Sequence, residues 1–351
     1  MARRSYRPLS QSARGSMRMS SVFNGKLIVV TGAAGFIGSN IAHSLASDGA
    51  SIVACDWFGT DNRWRNLAGV LLEDIVSPEN LMAWLARNLG AVEAIVHMGA
   101  ISATTERDVD RIVSNNVRLS LDLWDHCRLN DIAFVYASSA ATYGDGSQGF
   151  AGDDSETGLA RLGPLNPYGW SKHVVDRRIA ADVARAKTVP LRWAGLKFFN
   201  VYGPRESHKL DMRSVVHQIW PGVVAGEPIR LFKSHHPDYA DGGQMRDFIH
   251  VDDCVHVVRR VLDAPTTGGI FNVGTGQARS FRDLAIAVFT AVGAPPQIEY
   301  VDMPERLRGR YQYFTQADTT RLVSSGLAPN FQSLEEGVTS YVDWLSRHPD
   351  Q

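Results

Sequence analysis

Pro167-Tyr168-Gly169-Trp170-Ser171-Lys172 sets a phenol and an ammonium four residues apart, on one face of a helix and one turn from each other. A free phenol titrates near ~10, too high for a base at neutral pH. A fixed ammonium beside it stabilises the phenolate and lowers that value. Tyr168 and Lys172 therefore predict a proton acceptor for an alcohol undergoing oxidation. The same spacing is common on solvated helix faces, so the reading depends on what the chain places around the pair.

Upstream, the apolar run Lys26–Thr31 leads into Gly32-Ala33-Ala34-Gly35-Phe36-Ile37-Gly38, and a helix from Ser39 to Ser47 follows. Strand, glycine turn and helix in this order form a dinucleotide-binding fingerprint. Glycines let the backbone approach a pyrophosphate, whose charge then sits on the helix N-terminus. A second strand, Ser51 to Asp56, ends in an acid placed to hydrogen-bond an adenosine ribose, which favours NAD. Arg63 and Arg65 follow and could hold a 2′-phosphate, which favours NADP, or could lie on a solvated loop. These residues leave the choice open.

Next come a strand Glu93–His97, the turn Met98-Gly99-Ala100, and a helix from about Val109 to Leu129. That helix carries Asn115-Asn116, a pair unfavourable in mid-helix, which points to backbone work around a cofactor. The run Ile132–Ala137 reads as a central parallel strand. It delivers Ser138-Ser139-Ala140 to the carboxyl edge of the sheet, where α/β folds bind ligands. A Gly- and Asp-rich surface loop spans 144–163, and the Tyr168 helix starts after Pro167.

The chain of 351 residues suits two subdomains or one large α/β unit. Its 36 basic and 37 acidic residues give a net charge of −1, which points to neither nucleic acid nor a membrane surface. Cys55, Cys127 and Cys254 lack metal-ligand spacing and read as buried thiols in a reducing compartment. Residues 1–24 hold five arginines and no acid; without those five, 31 bases face 37 acids and the body carries −6. That segment reads either as a disordered basic tail, with Met17 or Met19 as a later start, or as an organellar transit peptide.

Four motifs together resemble the extended short-chain dehydrogenase/reductases: Thr31-Gly-Ala-Ala-Gly-Phe-Ile-Gly38, Ser138-Ser139-Ala140, Tyr168-x-x-x-Lys172, and Arg246-Asp-Phe-Ile-His-Val-Asp-Asp253. The resemblance runs from about residue 26 to 346. It implies a Rossmann-type doubly wound parallel sheet over 25–200, with 247–275 returning to it. A smaller C-terminal α/β substrate-binding subdomain would comprise 201–246 and 276–351. Asn200-Val201-Tyr202-Gly203-Pro204-Arg205 would open a sugar-nucleotide site. Glu206-Ser207-His208-Lys209, Ser102-Ala-Thr-Thr-Glu106 and Gly309-Arg-Tyr-Gln-Tyr-Phe-Thr-Gln-Ala-Asp318 are similar to the branch that epimerises an ADP-linked heptose at C6.

The expected reaction converts ADP-D-glycero-β-D-manno-heptose to its L-glycero epimer, supplying heptose for the inner core of lipopolysaccharide. Inverting a secondary alcohol with no acidic C–H requires oxidation to a ketone and hydride return to the other face, hence two acid–base groups on opposite sides. By resemblance these are Tyr168 and Lys209, with Ser139 bonding the reacting oxygen and Lys172 tuning Tyr168 and holding the nicotinamide ribose. Cofactor contacts carry over to Gly32, Gly35, Phe36, Ile37, Gly38, Asp56, Trp57, Arg63, Met98, Gly99, Ala100, Ser102, Asn115 and Val201. Substrate contacts carry over to Ser139, Asn200, Asp211, Gln218, Phe232, Arg246 and Tyr311. Asp211 and Gln218 depart from the serine and histidine of the pattern. The family and Arg63 favour NADP, with NAD as the alternative, and imply a cytoplasmic homo-oligomer.

His235, His236, Asp238 and Asp241 on the Lys233–Met245 segment invite a metal reading, but the reaction needs no metal, and a flexible loop over the substrate is the expectation. Three other activities compete. A 4,6-dehydratase wants an acidic pair where Ala140-Ala141 stands. A UDP-hexose 4-epimerase is opposed by Lys209 and the 309–318 stretch. A non-catalytic NADP sensor would typically lack the Tyr-x-x-x-Lys pair.

Overall fold

The computed structural model describes residues 22–308 and 311–349. The basic N-terminal segment, apart from its last three residues, and Gly309-Arg310 lie outside them. Twelve strands occur in chain order: β1 Leu27–Thr31, β2 Ser51–Cys55, β3 Leu72–Val76, β4 Val92–His97, β5 Ala133–Ser139, β6 Trp193–Phe198, β7 Asn200–Tyr202, β8 Ile229–Phe232, β9 Met245–His250, β10 Ile270–Val273, β11 Ala278–Ser280 and β12 Ile298–Val301. Seven of them form one parallel sheet in the order β10-β6-β5-β4-β1-β2-β3. Strand order reverses between β1 and β4, which opens a crevice at the carboxyl edge. Thr31 pairs there with both Cys55 and His97, so three strands end level with the glycine turn.

Both faces of the sheet are covered, as its near-continuous apolar strands require. The helices Phe36–Ser47 and Val251–Asp263 pack together on one face, through Ile41, Leu45, Val257, Val258 and Val261. Helices Pro78–Arg87, Leu119–Asn130 and Pro167–Ala184 cover the other, with Trp84, Trp124 and Ile179 in its core. A separate apolar cluster joins the helices Val215–Val224, Phe281–Val292 and Leu334–Arg347 to β8. The small sheets β11-β9-β7 and β12-β8 lie in this second part of the chain. The three cysteines are free and buried.

Several elements differ from the sequence expectation. Strand β3 was not foreseen because only Val76 of its five residues is buried, so it carries no apolar signature. The glycine-turn helix begins at Phe36, three residues before Ser39. The expected helix from Val109 is interrupted by a π-helical turn, Val113–Arg118, at the asparagine pair.

Beneath the carboxyl edge lies a buried ion pair. Asp176, two turns after Tyr168, accepts hydrogen bonds from Tyr136 (3.0 Å) and Ser138 (2.7 Å) and meets Lys197 Nζ at 3.1 Å. Lys197 also donates to Thr142 Oγ1 at 2.7 Å and sits 4.8 Å from the Tyr143 ring centre. Removing one partner leaves the other charged and dry, so Asp176→Ala is expected to cost about 3–5 kcal/mol. Urea denaturation of the two proteins measures this; a loss below about 1 kcal/mol, the range of surface pairs, would contradict it.

Candidate functional site

The glycine turn is shaped by close backbone packing. Gly32 adopts φ +63°, and a Cβ there would lie 2.7 Å from the Gly99 backbone. A Cβ on Gly38 would lie 2.2 Å from the Gly32 carbonyl oxygen. Neither position tolerates a side chain without moving the turn. At the helix start, Gly35 offers no side-chain cap, which leaves the first-turn N–H groups without a capping side chain. This suits a pyrophosphate on a helix N-terminus.

Asp56 braces that turn. Its carboxylate accepts from the Ala34 N–H at 2.8 Å and the Trp57 N–H at 2.7 Å. Burial pushes the acid above its ordinary value, while these bonds and the nearby Arg63 oppose the rise. Arg63 itself is held by Asp61, with Nε–Oδ1 at 2.9 Å and Nη2–Oδ2 at 2.7 Å. Arg65 is exposed and stacks over Trp64, and the Trp57 indole donates to Glu79. The structure thus keeps Arg63 near Asp56 and leaves Arg65 apart.

On the β4 side, the Met98 N–H donates to the Thr31 carbonyl and the Gly99 N–H to Thr31 Oγ1. Thr31 Oγ1 lies 2.7 Å from His97 Nδ1, and His97 Nε2 lies 2.8 Å from Ser120 Oγ. Burial, then the Lys172 charge, pushes His97 down to about 3, so it packs as a neutral ring. Ala100 and Ile37 are half-buried beside this turn, whereas Ser102 is exposed. Asn115 donates to Asn116, and the buried Asn116 binds both the N–H and the carbonyl of Ile101 and donates to Ser171 Oγ at 3.1 Å. Asn116 is therefore the clamp that the sequence reading missed, although the asparagine pair was its signal.

Tyr168 feels the hydroxyl of Ser139, whose Oγ accepts from the Ala141 N–H at 3.1 Å. The expected lowering of the phenol is corrected here. Burial raises Tyr168 above its ordinary value, and the Ser139 hydroxyl only partly opposes this. The ammonium that was to lower it is itself dry: burial brings Lys172 down to about 8, with Asp176 pulling the other way.

Lys209 reaches the glycine-turn helix. Its Nζ sits 5.0 Å from the Phe36 ring centre and 3.8 Å from Glu206. Burial lowers its ammonium, and Glu206 counteracts that. The loop is bracketed by two strained residues, Arg205 at φ +71° and Leu210 at φ +51°. Side-chain bonds to the nucleotide half hold it: Arg205 donates to Asn40 Oδ1, Asn40 to the Pro204 carbonyl, and Asn66 to the carbonyls of Ala34 and Arg205. Asp211 and Gln218 come together on the exposed turn beyond, where the Gln218 amide donates to the carbonyls of Asp211 and Arg213.

Arg246 lies between Tyr311 (5.3 Å) and Phe281 (5.6 Å) and donates to the Met245 carbonyl. Among the described residues it has no ion-pair partner. Its neighbour Asp247 spends its carboxylate on the N–H groups of Thr275, Gly276 and Ala317. A half-buried guanidinium stacked on rings with no counter-charge has the chemistry to receive an anion. Phe232 meets Tyr311 edge-on at 6.5 Å, Asn200 Oδ1 lies 3.5 Å from Thr315 Oγ1, and Val201 is half-buried in β7. In the 233–245 loop, His236 and Tyr239 stack with each other and with Tyr313, and Asp241 accepts from the Ser234 N–H. Among the described residues no group of three or more His, Cys, Asp or Glu is placed to hold a metal.

The fold and this crevice define a class. Residues 28–274 match the model of the NAD dependent epimerase/dehydratase family, and the chain belongs to that family. A nicotinamide dinucleotide is the cofactor class of the family. The chain is similar to the ADP-L-glycero-D-manno-heptose-6-epimerase of Nitratidesulfovibrio vulgaris, at 48% identity over 90% of this chain and 97% of that protein. It is also similar to the enzyme of that name from Fusobacterium nucleatum, at 41% identity over 90% and 97%. Among solved structures, the crystal structure of the Helicobacter pylori ADP-L-glycero-D-manno-heptose-6-epimerase superposes with a TM-score of 0.76 and 26% identity, over 92% of this chain and 97% of that one.

The buried Lys172 gives a signed pH dependence. Its folded value of about 8 lies below the unfolded one of 10.5, so the cost of keeping its charge dry is fully present below pH 8. That cost is relieved as pH rises towards 10.5. A Lys172→Met variant escapes it, so its stability relative to wild type is expected to fall between pH 8 and 10, by at most about 1.4 kcal/mol per pH unit. Paired urea titrations at pH 7, 8.5 and 10 read the difference; a flat one contradicts the assignment.

Proposed function

We propose that this protein interconverts ADP-D-glycero-β-D-manno-heptose and ADP-L-glycero-β-D-manno-heptose, providing heptose for the inner core of lipopolysaccharide. The observation that carries this reading is Lys209, a half-buried amine resting against the cofactor-side Phe36 in addition to the Ser139–Tyr168–Lys172 group. One acid–base centre suffices for a simple alcohol dehydrogenase; two suit an inversion.

Inversion without an acidic C–H needs a reversible hydride carrier, which a nicotinamide dinucleotide supplies when bound. Gly32, Gly35 and the helix N–H groups would hold its pyrophosphate, Asp56 and Arg63 its adenosine ribose, and Lys172 its nicotinamide ribose. Arg63 near Asp56 favours NADP. Arg246 receives the substrate diphosphate, with Tyr311, Phe232 and Asn200 beside it. Ser139 bonds the reacting oxygen.

One of Tyr168 and Lys209 then accepts the C6 hydroxyl proton as the alcohol becomes a ketone. After the ketone presents its other face, the second group returns a proton to that oxygen. One group must begin as base and the other as acid, so the rate peaks between their titrations. We further read 201–246 and 276–351 as the sugar-nucleotide half, and the protein as a cytoplasmic homo-oligomer.

Incubating the purified protein with either ADP-heptose epimer and resolving the two tests the substrate assignment; activity on UDP-glucose with none on ADP-heptose would refute it. Tyr168→Phe and Lys209→Ala are each expected to lower kcat by about 10²–10⁴-fold. Arg246→Leu is expected chiefly to raise KM, since it contacts a part of the substrate that does not react. Unchanged turnover in Lys209→Ala would leave Tyr168 as the sole centre. Weighing the dinucleotide released by denaturation is expected to give NADP, and recovery of NAD alone would reverse that choice.

A further inference from the structure

Glu206 is fully buried, three residues before Lys209. Its carboxylate accepts from the Ser214 N–H at 2.7 Å, from Ser214 Oγ, and from the Tyr341 hydroxyl at 3.1 Å. Tyr341 belongs to the Leu334–Arg347 helix, far along the chain, and its oxygen lies 2.9 Å from His217 Nδ1. Because Tyr341 gives its proton to Glu206, the imidazole must carry its own on Nδ1 and donate it. Burial holds that ring neutral, at about 4. Among the described residues, Lys209 is the one cation within ion-pair distance of Glu206.

Three donors and an ammonium converge on one dry carboxylate, and the loop between its two ends is strained at Arg205 and Leu210. A carboxylate needed only to cap the Val215–Val224 helix would not have to be buried beside a lysine; Ser214 already accepts from the His217 N–H as that cap. We infer that Glu206 is a positioning residue for Lys209: the carboxylate, fixed by Ser214 and Tyr341, sets where the amine sits over Phe36 and how firmly it keeps its proton. The other titratable groups facing this amine and its partner are His208, which feels Arg63 and Asp61, and Tyr341, His217 and Arg213. None of these supplies a second nearby negative charge, and Asp61, beside His208, is committed to Arg63. The inference rests on the proposed role of Lys209 for its catalytic consequence, but the pair itself can be tested independently.

The test is a ¹³C NMR titration of the reductively dimethylated full-length protein, with the Lys209 signal identified by its loss in Lys209→Arg. In Glu206→Gln the Lys209 midpoint is expected to fall by about one pH unit or more, because an opposite charge has gone. Glu206→Asp, which keeps the charge, is expected to hold it within about half a unit of wild type. If Glu206→Gln fails to fold, Tyr341→Phe replaces it: losing a donor leaves the carboxylate less neutralised, so the midpoint rises. A midpoint unmoved in Glu206→Gln, displaced as far in Glu206→Asp as in Glu206→Gln, or unmoved or lowered in Tyr341→Phe overturns the inference. Turnover of ADP-heptose at pH 7 is expected to drop about tenfold or more in Glu206→Gln with KM within about threefold. Full turnover in Lys209→Ala together with a lowered midpoint in Glu206→Gln would refute the role of Lys209 in the reaction while upholding the pair.

Discussion

An ammonium or guanidinium removed from water must be compensated where it sits, and the crevice is built on that requirement. Lys197 and Asp176 neutralise each other beneath the sheet edge. Lys172, one turn before Asp176, is drawn on by the same carboxylate, but burial outweighs that pull and leaves its proton loosely held. Lys209 has Glu206. Arg246, among the described residues, has aromatic faces in place of a carboxylate. The cations thus form a graded series, from the fully paired Lys197 to the unpaired Arg246. Arg246, left without a counter-charge, is the one proposed to meet an anionic substrate.

Much of the nucleotide half was legible because its signals are local. A glycine string between an apolar run and a helix has few alternative meanings, and the close approaches at Gly32 and Gly38 explain why glycine stands there. Local signals also mark the starts of the helices Phe281–Val292 and Leu334–Arg347, which both begin with a capping box, at Ser280 with Asp283 and Ser333 with Glu336. Strand β3 escaped because an exposed edge strand bearing Glu73 and Asp74 carries no apolar period.

What the sequence could not show were contacts between distant residues. Asp176 with Lys197, Asn116 with Ile101, and Glu206 with Tyr341 join positions with no common local pattern. The phenol was misjudged for a related reason. Spacing along a helix reports that a lysine is near, but whether that lysine is wet or dry depends on the whole sheet beneath it. A nearby charge lowers a phenol only to the extent that burial does not raise it more.

The bond from Tyr341 to Glu206 also bears on the order in which the molecule can become competent. The two residues are 135 positions apart. During synthesis the glycine turn, the Tyr168 helix and the Lys209 loop all leave the ribosome well before the helix that holds Glu206 from behind. Until then the Lys209 loop has its bonds to Asn40 and Asn66, and Glu206 those to Ser214, but the Tyr341 hydroxyl is missing from the carboxylate. Completion of the crevice is thereby linked to arrival of the last helix, whose Tyr341 supplies one of the bonds that fix Glu206 beside Lys209.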